Sequence, residues 1–245
     1  NTLPREKGST IPENMLETTE EYLQDCERII QLYHDPNPYA MSQIVLAPCQ
    51  PINSYPETFT ETVKLARAKG VRMHTHLGEG ENEIMLARWG KRTLDWCQDI
   101  GFIGEDVWYA HGIHFNDEEL RELARTGTGV AHCPISNMKL ASGVARVPEM
   151  LALDVPVGLA VDGSASNDGS SLMEELRVCY LLHRLTSSEK APSGYQVLKM
   201  ATRGSARLLG REDIGQLAVG KCADFFLVDS RRLELVGGAY SPADV

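Results

Sequence analysis

The stretch Val71-Arg72-Met73-His74-Thr75-His76-Leu77-Gly78-Glu79 is a short apolar run that ends in a histidine, with a glutamate three residues later. Period-two alternation puts His74 and His76 on one face of a strand. A neutral imidazole at a strand tip can ligate a metal, and the carboxylate beside it is free to move protons. Two later segments repeat the design. Val107-Trp108-Tyr109-Ala110-His111 and Val157-Gly158-Leu159-Ala160-Val161-Asp162 are also apolar runs tipped by a polar residue. Polar tips that converge on one end are how parallel α/β barrels assemble sites.

Working outward, strands are expected at 44–46, 72–76, 107–111, 129–133 and 156–161. Helical patterns lie between and around them, over 12–33, 57–69, 81–89, 92–99, 117–125, 147–153, 171–185 and 195–209. Pro12 opens the first helix, Gly70 stops the second, and Asn116 caps the one that begins with three acidic residues. Short apolar strands alternating with helices require parallel pairing through helical crossovers, hence an α/β fold. The count is five rather than the eight of a closed (β/α)8 TIM barrel. After Leu209 the pattern changes. Gly215 to Lys221 is turn-rich and leads into Ala223-Asp224-Phe225-Phe226-Leu227-Val228, which reads as strand in a separate small β unit.

Composition narrows the class. A 245-residue chain with a formal net charge of −10 offers no basic stripe for phosphate contacts, which argues against nucleic-acid binding. No stretch is long and apolar enough to suggest a membrane segment, and there is no signal-peptide pattern. Cys26, Cys49, Cys97, Cys133, Cys179 and Cys222 form no CxxC pair, so reduced thiols and a cytoplasmic location are expected. The chain starts at Asn1 without methionine and stops just after a turn-like segment, and both ends look cut.

Each chemically useful residue has a plainer alternative. His76 is favoured as a metal ligand over His74, which lies one layer deeper as barrel filling. Asp162 can bind a metal and accept a proton from the water it holds, or simply shape the Gly163–Ser164 turn. Asp168 fits a turn or capping role better. His111 could orient the nucleophilic water or shuttle protons, or serve packing alone. His132 has a weaker claim, Asn137 could hold its loop or contact a ligand, and His34, His114 and His183 receive no role. No GxSxG elbow, Walker loop or GxGxxG is present, so phosphoryl and hydride transfer lack support. The layout is that of a metal-dependent hydrolase.

Taken jointly, His76-Leu77-Gly78-Glu79, Tyr109-Ala110-His111, the run from Ala131 through Pro134-Ile135-Ser136-Asn137 to Gly143, and Val161-Asp162-Gly163-Ser164-Ala165-Ser166-Asn167-Asp168 resemble the amidohydrolase superfamily. The nearest likeness is to its guanine, 8-oxoguanine and hydroxyatrazine aminohydrolase branch. The resemblance implies a TIM barrel of the metal-dependent hydrolase type over 1–210, of which five βα units are present. Residues 211–245 would begin the C-terminal part of a composite β-sandwich. It also implies one zinc per subunit, with Fe2+ as the other metal, held by His76 and Asp162. By the same resemblance Glu79, His111 and Asp162 are catalytic, and Glu79 and Asn137 contact substrate. Metal-bound hydroxide would attack an aromatic C–NH2 carbon with Asp162 as base, Glu79 would pass protons, and ammonia would leave.

Members of that superfamily carry an HxH metal pair after their first strand, and none precedes His76 here. A fragment lacking the first three strands and half the sandwich is therefore expected, with weak metal binding if it is the entire molecule. The expected substrate is 8-oxoguanine or a related oxopurine, since His132-Cys133-Pro134 leans to that group. S-adenosylhomocysteine deaminases, with asparagine expected at 133, are more distant. A triazine-type aminohydrolase or chlorohydrolase is the enzymatic alternative. A non-catalytic barrel fragment acting as a binding or assembly subunit is the alternative of another class. Glu79, His111 and Asp162 standing together favour the enzyme. A homo-oligomer is expected from the resemblance.

Overall fold

The computed structural model describes residues 1–232 and 235. Five parallel strands, β1 (Val45–Leu46), β2 (Arg72–Leu77), β3 (Val107–His111), β4 (Gly129–His132) and β5 (Val157–Leu159), lie in the sheet in chain order. The register pairs His74 with Trp108, His76 with Ala110, and Ala110 with Ala131. The partial parallel barrel expected from the strand pattern is therefore present. Sequential order is the outcome of each strand returning through a helical crossover.

The helices are α1 (Thr19–Tyr33), α2 (Pro56–Lys69), α3 (Asn82–Trp89), α4 (Thr93–Asp99), α5 (Asp117–Thr126), α6 (Pro134–Lys139), α7 (Val147–Ala152), α8 (Ser164–Asn167), α9 (Leu172–Ser187), α10 (Gly194–Lys199) and α11 (Ser205–Leu208). Local chemistry sets their ends. Thr18 and Glu21 form a reciprocal capping box before α1, and Asn116 and Glu119 do the same before α5. That first box also corrects the expected start at Pro12. Pro12 opens only a 3-10 turn over Glu13–Met15, and the Thr18 box offers the better nucleus. Met15, expected on an apolar face, is exposed.

The predicted 195–209 helix contains a π-helical turn, Met200–Gly204, between α10 and α11. Gly204 is needed there, because a Cβ would sit 2.1 Å from the Val157 carbonyl oxygen. The turn thus packs its backbone directly on β5. Two short helices, α6 and α8, were not expected at all. Both turn out to matter for the site.

The main core fills the space between sheet and helices, with Phe59, Trp96, Phe102, Tyr109, Val130 and Met150 among its buried members. Phe59 meets Trp96 and Phe102 edge-on at 5.3 and 5.1 Å. The other face of the sheet carries His74, stacked on Trp108 at 5.3 Å, and a small cluster of Trp108, Ala131 and Leu208. Residues 211–220 attach to the turn before β1. Arg211 donates to the Ala40 carbonyl, and Asp213 accepts the Tyr39 N–H.

The strand expected at 223–228 is absent, and no strand falls after Leu159 among the described residues. Phe225, Phe226 and Leu227 are exposed. A strand without a neighbour leaves its N–H and C=O groups to water, so the segment has no ladder to join. The remainder of the expected 211–245 unit, at 233–234 and 236–245, lies outside the described residues.

Burial also gives the fold a pH dependence. Burial holds the His74 imidazole down to about 4, against 6.5 for a free side chain, and His132 and His183 shift in the same direction for the same reason. Between those values the unfolded chain binds the extra proton, so stability rises with pH through that window. We expect urea stability to be full above pH 6.5 and to fall toward pH 4, by roughly 1.4 kcal/mol per unit for each such histidine. Urea titrations from pH 7 to 4 test this. A pH-independent midpoint over that range contradicts it.

Candidate metal-hydrolase site

Three strand ends meet at one place. Donor atoms of His76, His111 and Asp162 all lie within 4.8 Å of one another. His76 is the penultimate residue of β2, and its ring stacks against His111 at 5.4 Å with a 26° tilt. Glu79 follows β2, and its Oε2 stands 3.8 Å from His111 Nε2. All four residues expected to do chemistry therefore come together.

His111 arrives by an unexpected route. In register it pairs with Leu77, so regular pleating would aim it at the main core beside Tyr109. Its φ of 73° breaks the alternation and turns the ring toward His76 and Glu79. Asp162 lies past the end of β5, shorter than expected, and has φ 62°. Left-handed backbone at two non-glycine residues is strained and characteristic of functional sites.

The neighbours Ser136 and Asn137, on α6, hold both strained residues. Asn137 Oδ1 lies 2.9 Å from His111 Nδ1, and Ser136 Oγ donates to Asp162 Oδ2 at 2.6 Å. An amide oxygen only accepts, so Nδ1 carries the ring proton and Nε2 presents a lone pair. Ser136, Asn137 and His111 are all buried. Ser166, on α8, adds a second hydroxyl to Asp162 Oδ2 at 2.9 Å. Burial works to raise the Asp162 carboxyl. The Ser136 and Ser166 hydroxyls, the Gly163 N–H and the nearby His111 outweigh it, and the net shift is downward. Asp162 is an anion at neutral pH.

Beneath this layer sits Glu175 of α9, fully buried. It accepts from the Ile135 N–H at 3.2 Å and from Asn167 Nδ2 at 2.5 Å. It therefore pins the residues next to Ser136 and Ser166. On the other side, Glu81 accepts the backbone N–H groups of Gly78, Glu79 and Gly80, fixing the loop that carries Glu79. Gln50, from the loop after β1, donates to Glu79 Oε2 at 2.9 Å. Sequence reading missed Gln50, Ser136, Ser166, Glu81 and Glu175. Each is a single polar or acidic side chain whose duty comes from tertiary contact, so no local pattern marked it.

Other expectations resolve simply. His74 lies outside the three-residue cluster and stacks on Trp108. Asp168 is exposed and paired with Lys139. His132 projects from the opposite face, toward α9.

The donor set fits a divalent cation. Burial, reinforced by the neighbouring His111, lowers the His76 pKa, so its ring is neutral and able to donate a lone pair. Two imidazole nitrogens and one anionic carboxylate match the nitrogen–oxygen ligands that zinc accepts.

A family model described as the amidohydrolase family matches residues 6–243. The hydroxydechloroatrazine ethylaminohydrolase of Pseudomonas sp. (strain ADP) is 51% identical over 244 residues, covering 98% of this chain and 51% of the relative. The 8-oxoguanine deaminase of Pseudomonas aeruginosa is 45% identical, covering 96% and 53%. An atrazine chlorohydrolase from Arthrobacter aurescens TC1, solved with zinc, superposes with a TM-score of 0.94 at 33% identity, covering 99% and 54%. The chain thus spans about half the length of the curated relatives it matches.

If Asn137 sets the His111 tautomer, Asn137→Ala lowers zinc affinity by about 10–100-fold, the usual effect of removing a group that orients a ligand. Zinc titration against a chromophoric chelator measures this. Unchanged affinity in a folded variant removes Asn137 from the metal's support.

Proposed function

The chain belongs to the amidohydrolase family, and from that membership we propose that it serves a metal-dependent aminohydrolase acting on an amino-substituted heteroaromatic ring. The observation that carries the proposal is the convergence of His76, His111 and Asp162, with Glu79 3.8 Å from His111. His76, His111 and Asp162 would hold one zinc. When bound, the cation supplies Lewis acidity and makes water a competent nucleophile near neutral pH. Fe2+ suits the same donors.

The protein groups divide the proton work. Asp162 is kept anionic by its hydrogen bonds, so it takes the proton that attacking water releases. Glu79 has Oε2 occupied by Gln50, and Oε1 remains to deliver a proton to the ring nitrogen. Addition at the C–N carbon then gives a tetrahedral ring carbon. The proton held on Asp162 passes to the departing nitrogen, which leaves as ammonia or an alkylamine, and the proton of the added hydroxyl returns to Glu79 as the ring carbonyl forms. Asn137 acts through His111 in this scheme, as a positioning residue.

For the substrate, the sequence motifs favour 8-oxoguanine or a related oxopurine. The 51% identity to an aminohydrolase named for hydroxydechloroatrazine favours a hydroxylated triazine as the second reading. We assign residues 1–210 to the barrel and 211–245 to the start of a small β-sandwich part. The six free cysteines support a cytoplasmic setting. No helix of the described residues is long and apolar enough to cross a membrane.

The deciding experiment is amine release by the full-length gene product, zinc-loaded and then chelated, with guanine, 8-oxoguanine, isoxanthopterin and hydroxyatrazine. Release from one ring that chelation abolishes supports the reading and names its substrate class. No release with zinc verified as bound favours a barrel that serves binding or assembly. Asp162→Asn is expected to remove turnover together with the zinc held by His76, His111 and Asp162 while circular dichroism is unchanged. Glu79→Gln should lower kcat by roughly 10²–10⁴ with zinc content preserved. Equal loss of zinc in the Glu79 variant would recast Glu79 as a structural residue.

A further inference from the structure

A second group of potential ligands lies on the opposite side of the sheet from His76. His132 of β4, Cys179 and His183 present one donor atom each, all within 4.8 Å of one another. All three side chains are fully buried, at 0% exposure. Register explains the separation from the first site. His76 pairs with Ala110 and Ala110 with Ala131, so His132, one residue on, projects from the other face. Cys179 and His183 are four residues apart on α9, which puts them on one stripe of that helix.

The geometry is that of ligands rather than of a packed pair. His132 Nε2 and His183 Nε2 face each other at 3.3 Å. Two imidazoles bound to a tetrahedral zinc at 2.0–2.1 Å have nitrogens about 3.3–3.4 Å apart. As a direct N–H···N hydrogen bond the same separation is long. Burial keeps both rings neutral, with pKa values brought down to about 3 and about 4, so both can offer lone pairs. The Nδ1 atoms of both rings lack a partner. A hydrogen-bonded neutral pair leaves one Nδ1–H unpaired in the core, whereas cation binding leaves two. Coordination by three ligands must outweigh that extra desolvation.

We propose that His132, Cys179 and His183 form a structural site for a thiophilic cation, zinc or copper(I), that fastens α9 to β4. Soft thiolate with imidazole selects these metals, and a dry three-donor pocket has no route for exchange with substrate. Binding releases the Cys179 thiol proton, leaving a thiolate on the metal. Glu175 lies one turn before Cys179 on the same stripe and pins Ile135 and Asn167. Metal at this site therefore steadies the helix on which the support of Asp162 depends.

The experiment loads chelator-stripped protein with Zn2+ or, under reducing conditions, with Cu+, then desalts it and counts retained metal. Cobalt substitution supplies a second readout, because a thiolate–cobalt charge-transfer band cannot arise from His76, His111 and Asp162. The expected result is one retained equivalent that Asp162→Asn keeps and Cys179→Ala loses. The cobalt band should persist in Cys133→Ala and vanish in Cys179→Ala. Retention of only one of the two metals identifies which cation the site takes. Should Cys179→Ala fail to fold, X-ray absorption on the zinc- or copper-loaded parent chain decides, through a sulfur neighbour at about 2.3 Å. No retained metal in either arm overturns the site, as does a metal shell without sulfur or a cobalt band that survives in Cys179→Ala.

Discussion

Asn137 Oδ1 accepts the His111 Nδ1 proton, and its neighbour Ser136 gives its hydroxyl to Asp162. This one turn of α6 ties together two strand ends that the sheet alone does not aim at each other. Without it, His111 has no reason to leave the pleat direction shared by Val107 and Tyr109. A left-handed backbone costs on the order of 1–2 kcal/mol at a non-glycine residue. A buried hydrogen bond contributes about the same, so each clamp offsets the strain it accompanies. Pro134 suits this duty. It opens α6 at the position where a missing N–H goes unnoticed, and the helix begins immediately after β4.

The clamp is itself held from behind. Glu175 accepts one hydrogen bond from beside Ser136 and one from beside Ser166, and the two serines share Asp162 Oδ2. A buried carboxylate is costly to desolvate, and burial raises the Glu175 pKa despite those two donors. Such a group persists where its hydrogen bonds order several segments at once. Glu81 plays the matching part under Glu79, taking three successive backbone N–H groups. Both supports are acids in loops or helices without period. Their duty follows from three-dimensional convergence.

That difference explains what the sequence disclosed. Strand tips were legible because apolar runs with a terminal His or Asp are local patterns, and all five strands fall where they were expected. His76, Glu79 and Asp162 stood out as candidates by position, and specific roles for them came only with the family resemblance. His111 was found by the same rule but for an incomplete reason, since only the break at φ 73° brings it inward. The 223–228 run has strand composition yet forms none, because pairing is a property of neighbours and not of the run. α6 escaped notice since Pro-Ile-Ser-Asn reads as a loop. The Cys179-x3-His183 spacing was visible on a predicted helix, but its third member, His132, is 47 residues away in sequence.

The surroundings of the two carboxylates differ in a way that suits the acid–base roles proposed for them. Asp162 receives two hydroxyl donors and the Gly163 N–H, which hold its charge even where burial opposes it. Glu79 receives one neutral amide, from Gln50, and remains partly open to solvent. The two hydroxyl donors on Asp162 Oδ2 fix the carboxylate's geometry and hold its charge, which suits the ligand and initial acceptor proposed for it. A carboxylate held by a single donor can gain and lose a proton without dismantling its surroundings, which suits a carrier. The amide at Gln50 reinforces the division, since it donates to whichever charge state Glu79 holds and never competes for its proton. The roles proposed for Asp162 and Glu79 thus rest on the donors around each oxygen, and those donors come from α6, α8 and the β1 loop rather than from the strands that present the two carboxylates.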